Sequence, residues 1–201
     1  MGDPSAVNIE RGLTTAFAGI LQRTQWQLYG FVRGVTGNDE WARDVVQDVF
    51  VEAWRLAQRG EPPFTRDALQ LSEEGARRWL FHVAYRQAIS ALRRDRVIQW
   101  HSLDASDMST MLEPARLYAS PPFEDRIAEA EALREALGSL SSEDVACVLL
   151  NVVQGFTSAE IAQIIGSTAD AAKRRLSRAK QRLRDAYFAQ NVGLKERQRH
   201  E

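Results

Sequence analysis

The sequence predicts an all-α protein of two small helical domains joined by a flexible linker, the C-terminal domain a helix-turn-helix. Three observations carry that expectation. Apolar residues recur at three- and four-residue spacing along most of the chain, and Val, Ile and Thr sit inside those patterns rather than in alternating runs. With only 12 Gly and 6 Pro among 201 residues, the chain is poorly supplied for a fold of many tight turns. An apolar share of 44% and a charged share of 26% lie in the globular range, which excludes wholesale disorder.

The first helix is expected over 15–35, with Phe17, Ile20, Leu21, Leu28, Phe31, Val32 and Val35 on its apolar side. Residues 1–14 read as an extension. Gly37-Asn38-Asp39 breaks the pattern and caps a second helix over 40–57. Gly60, Pro62 and Pro63 end it, leaving a loop over 60–75 with a short turn near 67–71. A third helix follows over 74–96 and completes a first domain at 15–96. Residues 97–123 lose the periodicity and contain Pro114, Pro121 and Pro122, so they read as the linker. The helical pattern resumes over 123–137, and Ser141 begins a further helix with Val145, Val148, Leu149 and Val152 inside, closed by Gly155. The second domain spans 124–188, and 189–201 form a polar tail expected to fray.

Within the second domain, Thr157-Ser158-Ala159-Glu160 has the spacing of a capping box, in which the Thr hydroxyl and the Glu carboxylate each satisfy a backbone N–H of the first turn. Ile161, Ile164 and Ile165 give the short helix an apolar face, and Gly166 suits the turn after it. Ser167 or Thr168 caps a second helix from about Ala169, where Ala172, Leu176, Ala179 and Leu183 form one buried stripe. Around that stripe lie Lys173, Arg174, Arg175, Arg178, Lys180, Arg182 and Arg184. A short capped helix, a glycine turn and a basic amphipathic helix make a plan for entering the major groove of DNA. A hairpin with a merely solvated basic face is the plainer alternative.

The formal net charge of −1 hides a strong asymmetry. The net charge is +1 over residues 1–96, −6 over 97–143, −3 over 144–172 and +7 over 173–201. Two basic stretches about an acidic middle suit two contacts with one polyanion. In the second helix Glu40, Asp44, Asp48 and Glu52 lie four residues apart, a carboxylate ridge that costs about 0.2–0.5 kcal/mol per like-charge pair in an isolated helix. Beside Val46, Phe50 and Trp54, such a ridge suits docking of a basic partner, though solvation alone also accommodates it. In the third helix Leu80, Val83, Ala84, Ala88, Ala91 and Leu92 form the core stripe. Arg77, Arg78, Arg86, Arg93, Arg94 and Arg96, with Phe81 and Tyr85, lie mainly outside it. Guanidinium groups interleaved with aromatic rings suit melted DNA, and core packing is the competing role for each ring.

No enzyme site emerges. His82, His101 and His200 are too scattered for a zinc site, Cys147 has no second cysteine, and no phosphate loop or nucleophile motif occurs. Asp104 and Asp107 sit in the linker, where solvation outweighs metal binding. The expectation is a chain with no catalytic residues, no metal and no cofactor. A single cysteine, a polar N-terminus and the lack of a long apolar stretch predict a cytoplasmic protein without membrane insertion.

Three of these segments resemble the extracytoplasmic-function (ECF) sigma factors of bacterial RNA polymerase, of the sigma-70 class. The run from Asp44 through Gln47, Asp48 and Phe50 to Trp54 is similar to their region 2.2 helix. Trp79-Leu80-Phe81-His82-Val83-Ala84, running on to Leu92-Arg93-Arg94, resembles regions 2.3 and 2.4. The segment 133–140, then Gly155-Phe156-Thr157-Ser158-Ala159-Glu160-Ile161-Ala162 and Lys173-Arg174-Arg175-Leu176-Ser177-Arg178-Ala179, resembles region 4. The resemblance implies a transcription initiation factor that binds core RNA polymerase, recognises −35 and −10 promoter elements and aids melting. It assigns polymerase binding to Asp44, Gln47, Asp48, Phe50 and Trp54. The −10 contact falls to Arg86, Arg93 and Arg94, with Phe64 and Arg66 as loop candidates for capturing a flipped base. The −35 duplex contact falls to Lys173, Arg174, Arg175 and Arg178. An anti-sigma factor is a further partner that the resemblance admits. The chain departs from the family pattern in having Arg86 and Ser90 where Asn and Asp are usual, in Asp170-Ala171-Ala172 where Gly-Thr-Val is usual, and in a longer loop over 60–75. The alternative reading is a stand-alone helix-turn-helix regulator, which needs neither the acidic ridge nor the first basic-aromatic helix. A helical adaptor that binds only protein sits poorly with the charge of residues 173–184.

Overall fold

The computed structural model describes residues 4–64, 73–102 and 124–197. Among these, seven α-helices and one π-helical turn account for the regular structure, and there is no strand. The chain divides into two compact units, Met1–His101 and Ser102–Glu201.

In the first unit α1 spans Pro4–Thr36, α2 Asp39–Arg59 and α3 Glu73–Ser102. The predicted apolar side of α1 is the one that packs: Phe17, Ile20, Leu28, Phe31, Val32 and Val35 are all buried, and Leu21 half-buried. The helix starts well before the expected Thr15. Pro4 suits a first helical position, and helical backbone replaces the expected extension. Asn38 caps α2 by accepting from the Trp41 N–H at 3.0 Å, and Gly60, at φ +66°, ends it in a left-handed turn. Asp39 ties the corner between α1 and α2. The Tyr29 hydroxyl donates to it at 2.6 Å, and the Arg33 guanidinium lies 2.6 Å from the same carboxylate. That hydrogen bond, aided by burial, pushes the Tyr29 hydroxyl above its ordinary pKa.

The seam of α2 consists of Ala42, Val45, Val49, Ala53 and Ala57. Rings fill the remaining volume: Phe17 meets Trp54 at 5.2 Å and Phe64 at 6.1 Å, Phe64 meets Trp79 at 5.4 Å, and Phe31 meets Phe81 at 5.3 Å between centroids. Phe81 is therefore core, not part of a DNA-facing aromatic surface, and Arg77 stacks over its ring at 5.3 Å. The third helix also runs on to Ser102, so the first residues of the expected linker are helical. The remainder, 103–123, lies outside the described residues, as does the expected turn near 67–71.

In the second unit α4 spans Glu124–Gly138, α5 Ser142–Val148, α6 Ser158–Ile165 and α7 Ala169–Arg197. Helix α7 packs on α4, α5 and α6 and is the axis of this unit. Ala132, Ala136, Val145, Val148, Leu150, Phe156, Ile161, Ile164, Ala172, Leu176 and Ala179 make up the core. Backbone helix continues to Arg197 through the segment expected to fray, where Gln, Lys, Glu and Arg are good helix formers and no Pro intervenes.

One expectation fails in an informative way. The periodicity of Val145, Val148, Leu149 and Val152 suggests one continuous helix, but α5 passes into a π-helical turn at Leu149–Val153. The extra residue in that turn rotates the apolar register, so Leu150 is fully buried while Val152 and Val153 are about two-thirds exposed.

Cys147 is buried, and desolvation pushes its thiol up to about 11. From thiolate fraction alone, alkylation by iodoacetamide at pH 8 should be about 100-fold slower in the native protein than in urea. Equal rates would mean that the α5 core is open to solvent.

Candidate nucleic-acid and polymerase interface

Local chemistry builds the helix-turn-helix. The Thr157 Oγ accepts from the Glu160 N–H at 3.3 Å, while the Glu160 carboxylate accepts from the Thr157 N–H at 2.9 Å and from its hydroxyl at 2.8 Å. This is the predicted capping box. Gly166 closes α6 at φ +71°, a conformation that penalises any Cβ, and Thr168 caps α7 by accepting from the Ala171 N–H at 3.2 Å. These devices start α7 at Ala169, as expected.

The four residues assigned to duplex DNA do not stand alike. Lys173, Arg174 and Arg178 are exposed. Arg175 instead donates from its guanidinium to the Glu143 carboxylate on α5, which raises its pKa further above the ordinary value. Neighbouring cations are engaged too: Arg182 reaches the largely buried Asp144 at 2.8 Å, and Lys180 reaches the Asn151 side-chain oxygen at 2.6 Å.

In the first unit, the sequence-derived sets interleave. Asp44, Gln47 and Asp48 are exposed on α2, whereas Phe50 and Trp54 are half-buried and Trp54 leans on Phe17. Glu40 and Glu52, the rest of the ridge, are exposed as well. Asp44 and Asp48 line an open groove of about 560 Å³ between α2 and α3, together with Trp41, Ser90, Arg94 and Asp95. Arg86, Arg93 and Arg94 are exposed on α3, with Arg86, Ser90 and Arg93 spaced to share one side of the helix. Two of the acids assigned to polymerase binding and one of the arginines assigned to the −10 element thus open onto the same groove.

Phe64 requires a correction. It is fully buried, edge-on to both Phe17 and Trp79, and has no face left for a base. Arg66 lies outside the described residues. Trp41 and Gln87, which also line the groove, and Glu143, which holds Arg175, carry no local signal of their roles. Among the described residues, no cluster of His, Cys, Asp and Glu could hold a metal ion, and no helix is long and apolar enough to cross a membrane.

Two helical units with this order of features define a class, the sigma-70 proteins. Residues 20–97 match Sigma-70 region 2, and residues 130–183 match Sigma-70, region 4. The chain is similar to the ECF RNA polymerase sigma factor SigK of Mycolicibacterium vanbaalenii, 25% identical over 87% of this chain and 79% of that one. It is likewise similar to SigK of Mycobacterium ulcerans, 27% identical over 89% and 85%. Its fold resembles that of the sigma factor RpoE from Bartonella quintana, solved in complex with the anti-sigma factor NepR, at a TM-score of 0.61 and 24% identity over 85% of this chain and 95% of that one. The chain belongs to the ECF sigma factors, promoter-recognising transcription initiation factors.

The capping box should be worth about 1 kcal/mol to α6. Thr157→Ala should therefore lower the melting temperature of the second unit by about 4–8 °C, read by circular dichroism. An unchanged melting curve would mean that α6 is held by packing alone.

Proposed function

We propose that the two units divide the work of promoter recognition, the first (15–96) meeting core RNA polymerase and the −10 element, the second (124–188) meeting the −35 element. The observation that carries this reading is the exposed Asp44–Asp48 ridge on α2 sharing a groove with Arg94 of α3, the helix that also exposes Arg86 and Arg93, a combination for which a simple duplex-binding regulator has no use. Asp44, Gln47 and Asp48 supply the polar contact to the polymerase, and the outer edges of Phe50 and Trp54 add apolar area. Arg86, Arg93 and Arg94 hold the phosphates of the opening strand. Lys173, Arg174 and Arg178 face duplex DNA, where lysine and arginine attract phosphates and arginine can fork onto guanine edges. Ser90 and Arg86 replace the usual Asp and Asn, so the −10 base preference should differ from the common family pattern. The segment 103–123 links the units.

This chain carries no chemistry of its own in that scheme; bond formation belongs to the polymerase, and recognition and strand separation come from binding energy. It works in the cytoplasm without a cofactor. An anti-sigma factor that masks one or both units is a fitting regulator, by analogy with the RpoE–NepR pair.

The purified chain should co-elute with bacterial core RNA polymerase in size-exclusion chromatography at moderate salt. Asp48 is exposed, so Asp48→Arg should leave the helical circular dichroism intact while weakening that complex at least about tenfold. Retained association would sink the docking assignment. No complex with the wild-type chain, with duplex DNA still bound, would favour a stand-alone regulator.

A further inference from the structure

The basic residues of α7 do different jobs. A helix turns about 100° per residue, so the buried stripe of Ala172, Leu176 and Ala179 fixes where every other side chain points. Arg174 and Arg178, four apart, project from the far side. Arg175 and Arg182 fall on one flank of the stripe and Lys180 on the other. The contacts follow that geometry. Arg175 meets Glu143, Arg182 meets Asp144, and Lys180 meets Asn151. Glu143 and Asp144 stand in the first turn of α5, where carboxylates are favoured by the helix dipole. Asn151 in turn donates to the Phe156 carbonyl at 2.8 Å, just ahead of α6. Three cations therefore fasten α7 to the scaffold that orients it.

We propose that Arg175 is a positioning residue, holding the recognition helix on α5 through Glu143, and that the DNA-contacting set is Lys173, Arg174 and Arg178. This rests on the assignment of α7 to duplex DNA. A phosphate reaching Arg175 would compete with a carboxylate already bonded to its guanidinium. Without the pair α7 loses one of its three ties and shifts on α5, which moves Arg174 and Arg178 relative to the bases while leaving the count of phosphate contacts alone.

The test uses the full chain and a duplex enriched by the wild-type protein from a randomised pool, with affinity read by fluorescence anisotropy across a salt series. Circular dichroism confirms that each variant is folded at the assay temperature. Arg174→Ala should weaken binding and reduce the slope of log affinity against log salt by about 0.9, one phosphate contact. Arg175→Ala should weaken binding roughly three- to tenfold with the slope unchanged. Glu143→Gln decides the matter most directly. As a positioning partner its loss weakens binding, whereas if Arg175 were a DNA contact restrained by Glu143, freeing it would tighten binding. The charge-swapped double variant, Glu143→Arg with Arg175→Glu, should recover affinity relative to Arg175→Ala. Tighter binding by Glu143→Gln, a reduced slope for Arg175→Ala, no loss of affinity in Arg175→Ala, or no recovery in the charge-swapped protein overturns the proposal. An unchanged slope for the triple variant Lys173→Ala, Arg174→Ala, Arg178→Ala would remove the DNA role of α7 altogether, a failure distinct from that of the positioning role.

Discussion

Narrow, alanine-rich seams between helices are the constraint on which the rest of this structure depends. Ala42, Ala53 and Ala57 on α2, Ala76, Ala84 and Ala88 on α3, Ala132 and Ala136 on α4, and Ala172 and Ala179 on α7 are essentially inaccessible. Small residues let helix axes approach closely, toward the short end of the usual 8–10 Å spacing. A narrow seam occupies little of each helix circumference, so a large arc remains for charged side chains. On α2 that arc carries four carboxylates, and residues 173–184 of α7 carry seven cations. A seam of Leu and Phe would hold the helices farther apart and demand a wider buried face. In the first unit the rings of Phe17, Trp54, Phe64 and Trp79 pack against one another beside these seams.

Display and restraint are balanced differently in the two units. On α2 and α3 the charges border a groove and stay mostly exposed. On α7 part of the charge is neutralised within the fold. A half-exposed ion pair such as Arg175–Glu143 contributes only about 0–1 kcal/mol to stability. Its larger consequence is geometric, because base readout needs side chains held to a fraction of a hydrogen-bond length. The π-helical turn belongs to the same restraint: it carries Asn151, which reaches both Lys180 and the backbone ahead of α6.

Features written in short stretches of sequence were legible. The Thr157–Glu160 capping box, the Gly166 turn, the Asn38 cap and the apolar side of α1 each rest on residues within a few positions of one another, and backbone hydrogen bonding decides them locally. The burial of Phe64 and Phe81 was not legible in the same way. An aromatic residue beside arginines fits either a core or a stacking surface, and only the neighbouring rings, Phe17 and Trp79 for one and Phe31 for the other, settle which. The π-helical turn escaped for a related reason, since a single inserted residue changes the register without changing the composition.

By itself the sequence determined the all-helical class, the two-unit organisation, the capped helix-turn-helix and the family, because those follow from periodicity, caps and linear motifs. Tertiary structure alone decided which charges are free. Arg174 and Arg175 are adjacent in sequence and identical in chemistry. One faces solvent, while the other is held by Glu143, 32 positions away in the chain. Chain separation leaves no local trace of such a pair. It exists only because the α5–α7 seam brings the first turn of one helix against the flank of the other.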